Sequence, residues 1–277
     1  MAKRASEASE ARPKRRRAQG GAHQRHRTKV AGVLAMPGAT GVFVSCARGK
    51  ERKAALELVD VLNEHAAQLY PPPRAVDYDS DDMDALRNGP PPAPRAAPAG
   101  DIESQVDAEL AALRAPSREH VLALDTDTEC LCFLACPAPA DATRLVRRLL
   151  EETADRGEAR SRFVQRLTPV RALCHADTES IRAAAPRALR AAFPADRPLT
   201  YRIEPRIRAH TSLTRETLIP LVAACVPADE GHRVDLAHPD VVVVVEVLRN
   251  VCGIGALDDY ERWGKWNVQT LAERHRT

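Results

Sequence analysis

The sequence predicts an α/β protein, and three features of its second half carry that prediction. Leu199–Arg208 alternates apolar and polar residues, as a strand with one buried face does. The run Val241–Val245 is apolar on both faces, which is typical of a central, covered strand. Segments with helical periodicity, 142–154 and 179–193, alternate with strands, and that alternation indicates a layered α/β architecture.

The first half is predicted to contain two strands and two helices. The apolar segment 41–46 predicts a short strand, and apolar residues at helical spacing predict a helix over 48–69. A second amphipathic helix is predicted over 102–113, and a strand over 128–136. Residues 71–100 contain eight prolines and a cluster of aspartates, so we expect a flexible acidic insertion there.

The second half adds elements whose ends are marked by particular residues. Residues 162–168 alternate in polarity and predict a strand that Pro169 terminates. The Ala/Arg-rich segment 179–193 predicts a helix that Pro186 would bend or split. Thr214 is a good N-cap for a further helix that ends near Val226.

The net charge of +3 conceals two separate basic blocks. Residues 1–40 hold ten Lys/Arg and two Glu, and residues 160–216 hold twelve Arg and five acidic residues. This segregation predicts a polyanionic partner, with nucleic acid as the first candidate. Residues 1–40 lack hydrophobic periodicity and contain RPKRRR, so we expect a disordered basic arm that serves nuclear import or phosphate binding. The expected location is the nucleus, and within it the nucleolus.

Several classes of protein are excluded by composition. No run of about 18 apolar residues is present, as a membrane helix would need, and the N-terminus is too charged for a secretory signal. Seven cysteines, an odd number, favour reduced thiols over a disulfide framework. We therefore expect a soluble intracellular protein.

The cysteines do not form a recognisable metal or catalytic motif. Cys130, Cys132 and Cys136 would share one face of a strand, but no Cys-x-x-Cys or paired histidine motif lies nearby, so buried thiols are favoured over zinc. Cys174 and His175 are neighbours on an extended segment and would point apart, which disfavours a nucleophile–base pair.

Nucleotide-binding motifs are also incomplete. Gly253-Ile-Gly255 follows the valine run as in a dinucleotide site, but the third glycine position is Asp258. No Gly-x(4)-Gly-Lys-Ser/Thr loop occurs in the sequence. We therefore predict no catalytic residues, no cofactor and no metal.

The strongest candidate for a binding surface is the polar face of Leu199–Arg208. Arg202, Arg206 and Arg208 share that face, and Glu204 is their only local counter-charge. We predict that these arginines bind RNA phosphates and that folding does not need them. Arg162 and Arg166 repeat the pattern on another predicted strand. The alternative is the charged, exposed face of an edge strand.

Five segments of the chain, in order and spacing, resemble the family of THUMP-domain adaptors that assist an RNA cytidine acetyltransferase. The THUMP domain is an RNA-binding module of tRNA-modification proteins. The segments are GVFVSCARGKERKAA (41–55), SRFVQRLTPVRALCHA (161–176), RIRAHTSLTRETLI (206–219), VDLAHPDVVVVVEVLRNVCGI (234–254) and DYERWGKWNVQ (259–269). The resemblance covers about residues 41–270.

The resemblance implies a ferredoxin-like N-terminal domain over 41–136, an α/β THUMP domain over 137–257 and a C-terminal tail over 258–277. It implies that the two domains jointly hold a tRNA. The expected function is that of a non-catalytic adaptor for an RNA cytidine acetyltransferase. That enzyme would use acetyl-CoA and ATP to form N4-acetylcytidine in the D-arm of serine and leucine tRNAs.

Residues of the family's motifs carry over to individual positions of this chain. The resemblance implies RNA-binding roles for Arg162, Arg166, Arg208 and Arg215, and it places a characteristic cysteine at Cys174. The chain departs from the family in a loop where Asn-Asn-Ser-His is frequent, because residues 209–212 read Ala-His-Thr-Ser. Two alternatives stay open: an RNA-modifying enzyme in its own right, and a protein–protein scaffold with basic patches.

Overall fold

The computed structural model describes residues 40–71, 120–227 and 230–276. The predicted basic arm, the greater part of the 71–100 insertion and the predicted helix over 102–113 lie outside the described residues. Among the residues that are described, none of the helices combines the length and the apolar character needed to cross a membrane.

The first half of the described chain forms a four-stranded antiparallel sheet with the order β2-β3-β1-β4. Two helices, α1 and α2, cover one face of this sheet through a shared apolar core. The succession βαββαβ in this strand order is the ferredoxin-like arrangement, which confirms that part of the predicted fold. Its elements are β1 Gly41–Cys46, α1 Glu51–Leu69, β2 Leu122–Leu124, β3 Leu131–Ala135, α2 Ala142–Arg156 and β4 Val164–Val170.

The β4 strand differs from its prediction at both ends. It begins at Val164, so Arg162 precedes it, and it runs through Pro169 to Val170. Proline is tolerated because β4 is an edge strand, where a backbone position can lack a ladder donor. Pro169 lies opposite Val42 in the register with β1. The prediction that Pro169 ends the strand was therefore wrong.

The second half forms a five-stranded sheet with the order β5-β9-β8-β6-β7. The central strand β8 is parallel to β6 and antiparallel to β9, and all eight of its residues are buried, as the valine run predicted. Helices α3 and α4 pack on one face of this sheet. The elements are β5 Ala172–His175, α3 Thr178–Leu189, β6 Thr200–Arg208, α4 Arg215–Ala223, β7 Arg233–Val234, β8 Val241–Leu248, β9 Val251–Asp258 and α5 Val268–His275.

Helix α3 is shorter than its prediction but is continuous across its proline. Pro186 lies within the last turn, and the helix ends at Leu189, four residues before the predicted end. The carbonyl of Pro186 still accepts a hydrogen bond from the backbone N–H of Arg190. Pro186 therefore does not split the helix.

The two sheets pack against each other, so the domains share a buried interface. Phe43 and Phe133 of the first sheet join Val170, Leu248 and Val251 in one apolar cluster. The glycines of the rejected dinucleotide motif lie in β9 at this contact. A Cβ at Gly255 would come within 2.3 Å of the Pro169 carbonyl oxygen. The glycines therefore allow two strands to approach closely, which is a packing role.

The division between the units differs from the predicted boundary at residue 136. The first sheet continues to Val170, because α2 and β4 complete the ferredoxin-like unit. The predicted tail over 258–277 is largely folded: Trp266, Val268 and Leu271 are buried in the core of the first unit, and α5 packs there. The C-terminal segment thus returns to the N-terminal unit.

Candidate nucleic-acid interface

The β6 strand presents two different faces, as its alternation predicted. Tyr201 and Ile203 are buried under α3 and α4, whereas Arg202, Arg206 and Arg208 lie on the opposite face. That opposite face is directed toward the first unit, since Arg206 contacts Thr168 of β4. The arginines therefore lie at the junction of the two domains.

Arg206 is the centre of a hydrogen-bonded network at this junction. Its Nη1 donates to Oε1 of Glu246 at 2.8 Å and to Oγ1 of Thr168 at 3.2 Å. Its Nη2 donates to the Tyr260 hydroxyl at 2.7 Å and to Oε2 of Glu204 at 3.2 Å. The guanidinium thereby joins three separate parts of the chain: β4, the second sheet and the segment after β9.

The two flanking arginines are also paired with carboxylates. Arg202 donates from Nη2 to Glu204 at 2.7 Å and lies 3.3 Å from Glu261. Arg208 lies 2.7 Å from Oε2 of Glu246, so both oxygens of that carboxylate are held by arginine. We call this set the junction network. Its members are Arg202, Glu204, Arg206, Arg208, Glu246, Tyr260 and Glu261.

The junction network corrects the prediction of an uncompensated arginine face. Three carboxylates face the three arginines, because strand pairing and the C-terminal segment bring Glu246 and Glu261 to Glu204. The side chains of Arg202 and Arg206 are only 17 % and 18 % exposed, whereas that of Arg208 is 35 % exposed. Most of this positive charge is therefore compensated within the protein.

The surroundings of Arg206 and Tyr260 shift the pKa of each side chain. Burial by itself would lower the pKa of Arg206, but the charges of Glu246 and Glu204 outweigh it and raise that pKa. Burial raises the pKa of Tyr260. Arg206 therefore stays charged and Tyr260 stays neutral near pH 7.

The remaining predicted arginines lie at different distances from this network. Arg166, on β4, is half-buried, and its charge acts on Tyr260. Arg162 is exposed just before β4. Arg215 is exposed at the first turn of α4, and its Nη1 donates a hydrogen bond to the Pro205 carbonyl oxygen at 2.9 Å. The structure thus brings four of the six predicted arginines together. The four are Arg166, Arg202, Arg206 and Arg208.

A second group of arginines was used in no sequence prediction of a site. Arg182 and Arg187 are exposed on the outward side of α3, and Arg190 is exposed at its C-cap. Over residues 40–71, 120–227 and 230–276, none of their guanidiniums forms an ion pair or a side-chain hydrogen bond. The signal in the sequence was their recurrence within nine residues, 182–190, of an alanine-rich segment.

The loop after β6, where the chain departs from the family motif, is held by its histidine. Ala209 has a positive φ of 51°, and Nδ1 of His210 contacts the Arg249 carbonyl oxygen. Arg249 in turn donates to the Asp127 carbonyl oxygen at 2.6 Å, in the first unit. His210 therefore takes part in a structural contact between the loops of the two domains.

The cysteines have packing roles in the structure. Cys132 and Cys136 are buried, and burial raises the pKa of Cys136 to about 12. Cys130 has a positive φ of 59° and precedes β3, so it does not share the strand face as predicted. Cys174 lies opposite Cys252 on β9. No group of three potential metal ligands occurs among the residues that the structure describes.

Residues 175–257 match the profile of the THUMP domain, so the chain contains a THUMP domain. This segment includes α3, β6, α4 and the three arginines of the β6 face. Its place in the fold is the second sheet with its two helices.

Over most of its length the chain is similar to proteins named for this domain or for tRNA acetylation. It is 24 % identical over 241 residues to THUMP domain-containing protein 1 of Mus musculus, covering 86 % of this chain and 65 % of that protein. It is 25 % identical over 272 residues to the protein named tRNA acetyltransferase TAN1 of Saccharomyces cerevisiae, covering 90 % of each. Among solved structures, PH1313 from Pyrococcus horikoshii matches with a TM-score of 0.43 and 11 % identity, over 79 % of this chain and 54 % of that one.

Proposed function

We propose that this protein is a tRNA-binding adaptor that acts with an RNA cytidine acetyltransferase. The observation that carries the proposal is the THUMP domain over residues 175–257, which bears exposed arginines without carboxylate partners among the described residues. Arginine is well suited to phosphate because its planar guanidinium offers paired donors. The name of the yeast relative, which refers to tRNA acetylation, supports the choice of reaction.

The proposed role is positioning of tRNA, with acetyl transfer performed by the partner enzyme. In the junction network, the buried Glu246 is held on both oxygens by Arg206 and Arg208. Charge-assisted hydrogen bonds to both oxygens fix this carboxylate and the two guanidiniums relative to one another. The network therefore supports a rigid arrangement of the two domains, against which an RNA could be placed.

The proposed product is N4-acetylcytidine in the D-arm of serine and leucine tRNAs, as the family resemblance implies. The decisive experiment maps N4-acetylcytidine in total tRNA from cells that lack this protein. We expect the modification to disappear from serine and leucine tRNAs and to return when the gene is restored. Unchanged acetylation in the deletion strain would overturn the proposal.

A second candidate function is acetylation by the chain itself, which the name of the yeast relative favours. The two candidates are separated by incubating purified protein with tRNA, acetyl-CoA and ATP, alone and together with the RNA cytidine acetyltransferase. The adaptor proposal expects acetylation only in the combined reaction. Acetylation by the rigorously purified chain alone would support the second candidate.

We further propose that the protein acts in the nucleus, and within it in the nucleolus. The support is the RPKRRR segment, a short basic run of the type that importins recognise. Replacing its basic residues by alanine in a fluorescently tagged protein should move the signal to the cytoplasm. An unchanged distribution would remove this support.

A further inference from the structure

The outward side of α3 carries positive charge that folding does not use. Its inward side places Ile181, Ala185 and Leu189 in the core of the second unit. Three arginines on the other side of this segment are exposed to solvent: Arg182 and Arg187 in the helix, and Arg190 at its C-cap. We call Arg182, Arg187 and Arg190 the α3 arginines. Since they have no counter-ion in the described parts of the chain, their charge is available to an external anion.

The α3 arginines differ in this respect from the arginines of β6. Each β6 arginine lies within 3.3 Å of at least one carboxylate oxygen, and two of them are largely buried. A phosphate that approached Arg206 would have to displace Glu246 or Glu204, and the displaced carboxylate would lose its partner in a poorly solvated site. The α3 arginines can bind a phosphate without this penalty.

The spacing of the α3 arginines suits a nucleic-acid backbone. At a rise of about 1.5 Å per residue, Arg182 and Arg190 are separated by roughly 12 Å along the helix, with Arg187 between them. A duplex carries one phosphate per strand about every 3.4 Å of its axis, so the row spans three or four phosphates. Ala183 and Pro186 lie between the arginines and leave the guanidiniums as the most protruding groups. Glu179, in the first turn, is the single acidic residue of this helix.

The charged surface continues from α3 toward the first unit. Arg187 lines a groove of about 380 Å³ between the domains, together with Arg171 and Thr40. Arg171 is paired with Asp141 at 3.2 Å, so Arg187 is the uncompensated cation of the groove among the described residues. Residues 1–39, which contain ten Lys/Arg, join the described chain at Thr40.

We propose that the α3 arginines, rather than the β6 arginines, are the principal phosphate-binding surface for RNA in the folded region. This inference rests on the proposed function, because it assigns the surface on which the tRNA would lie. It reverses the order of importance predicted from the sequence, where the β6 arginines ranked first. The partner is RNA, because regularly spaced phosphates match a row of guanidiniums along one helix.

The test compares tRNA binding by the full-length protein and by the variant R182A/R187A/R190A. Counterion release makes the slope of log K against log salt change by about 0.7–0.9 per phosphate contact. Loss of three contacts should therefore reduce the slope by about 2 and raise Kd roughly 100-fold at 0.1 M salt. Binding would be followed by the fluorescence anisotropy of a labelled serine tRNA. The melting temperature of the variant should equal that of the wild type, because alanine favours the helical conformation.

A charge-matched control separates a local contact from a change in net charge. The variant R52A/K53A/R148A removes the same three charges from exposed positions on α1 and α2. We expect it to change Kd less than threefold. The variant R182K/R187K/R190K should keep the wild-type salt slope, since the charges remain.

The outcomes distinguish the inference from the proposed function. If wild-type protein binds tRNA and the α3 variant binds it equally well, the inference is overturned and the proposed function stands. If the control variant loses as much affinity as the α3 variant, the surface assignment is overturned. If polyglutamate displaced the labelled tRNA as effectively as unlabelled tRNA does, the choice of RNA as the partner would be overturned. If wild-type protein does not bind tRNA, the proposed function fails as well.

Discussion

Replacement of Arg206 by alanine is expected to destabilise the protein, although the sequence pattern alone suggested that this position is dispensable for folding. The substitution removes four hydrogen bonds, to Glu246, Thr168, Tyr260 and Glu204. It also leaves the Glu246 carboxylate, whose side chain is only 4 % exposed, with a single arginine. The buried carboxylate then carries a charge that is less well compensated.

The size of the effect follows from this burial. Removing one partner of a buried ion pair costs about 3–5 kcal/mol, and retention of Arg208 and the partial exposure of Arg206 reduce this to about 2–3 kcal/mol. Urea unfolding followed by tryptophan fluorescence measures it directly, because both tryptophans, Trp263 and Trp266, are buried beside the junction. We expect a lower midpoint with an unchanged slope.

The control is the double variant R206M/E246L, which removes both charges and retains apolar volume. Because paired buried charges can be replaced by apolar groups at little net loss, the double variant should recover most of the stability lost in R206A. If R206A unfolds within about 0.5 kcal/mol of the wild type, the junction network contributes little and the reasoning fails. A double variant less stable than R206A would contradict the assignment of the loss to the uncompensated Glu246 carboxylate.

Three further predictions test the close packing of the domains, the capping of α2 and the basic arm. Gly255→Ala should reduce the free energy of unfolding by about 1–3 kcal/mol, because the Cβ of the alanine would meet the Pro169 carbonyl oxygen. An unchanged melting temperature would contradict this close contact. Asp141→Ala should lower the free energy of unfolding by about 1 kcal/mol, because the Asp141 side chain caps α2 by accepting a hydrogen bond from the Arg144 N–H. Asp141→Asn should retain the cap. Equal losses of stability in the two variants, measured by calorimetry, would contradict this role. Deletion of residues 1–40 should weaken binding of all tRNAs alike and flatten the salt dependence, and a loss confined to one tRNA would be the contrary result.

Local patterns in the sequence determined the elements of this protein. The alternation of β6 correctly placed Tyr201 and Ile203 inside and the arginines opposite, because side chains of a strand alternate between faces whatever surrounds it. The valine run correctly predicted the central strand β8, since a strand that is apolar on both faces is stable only when it is covered on both. Residue spacing was sufficient for both inferences.

The environment of the charged residues was decided only by the tertiary structure. Glu246 lies 40 positions after Arg206 along the chain, and parallel pairing of β6 with β8 places the two side by side. Glu261 reaches Arg202 because the C-terminal segment folds back onto the first unit. The sequence shows how many charges exist and on which face of an element they lie. Whether an arginine is compensated depends on carboxylates that long-range folding brings within a few ångströms, and for this reason α3, not β6, retains the free positive charge.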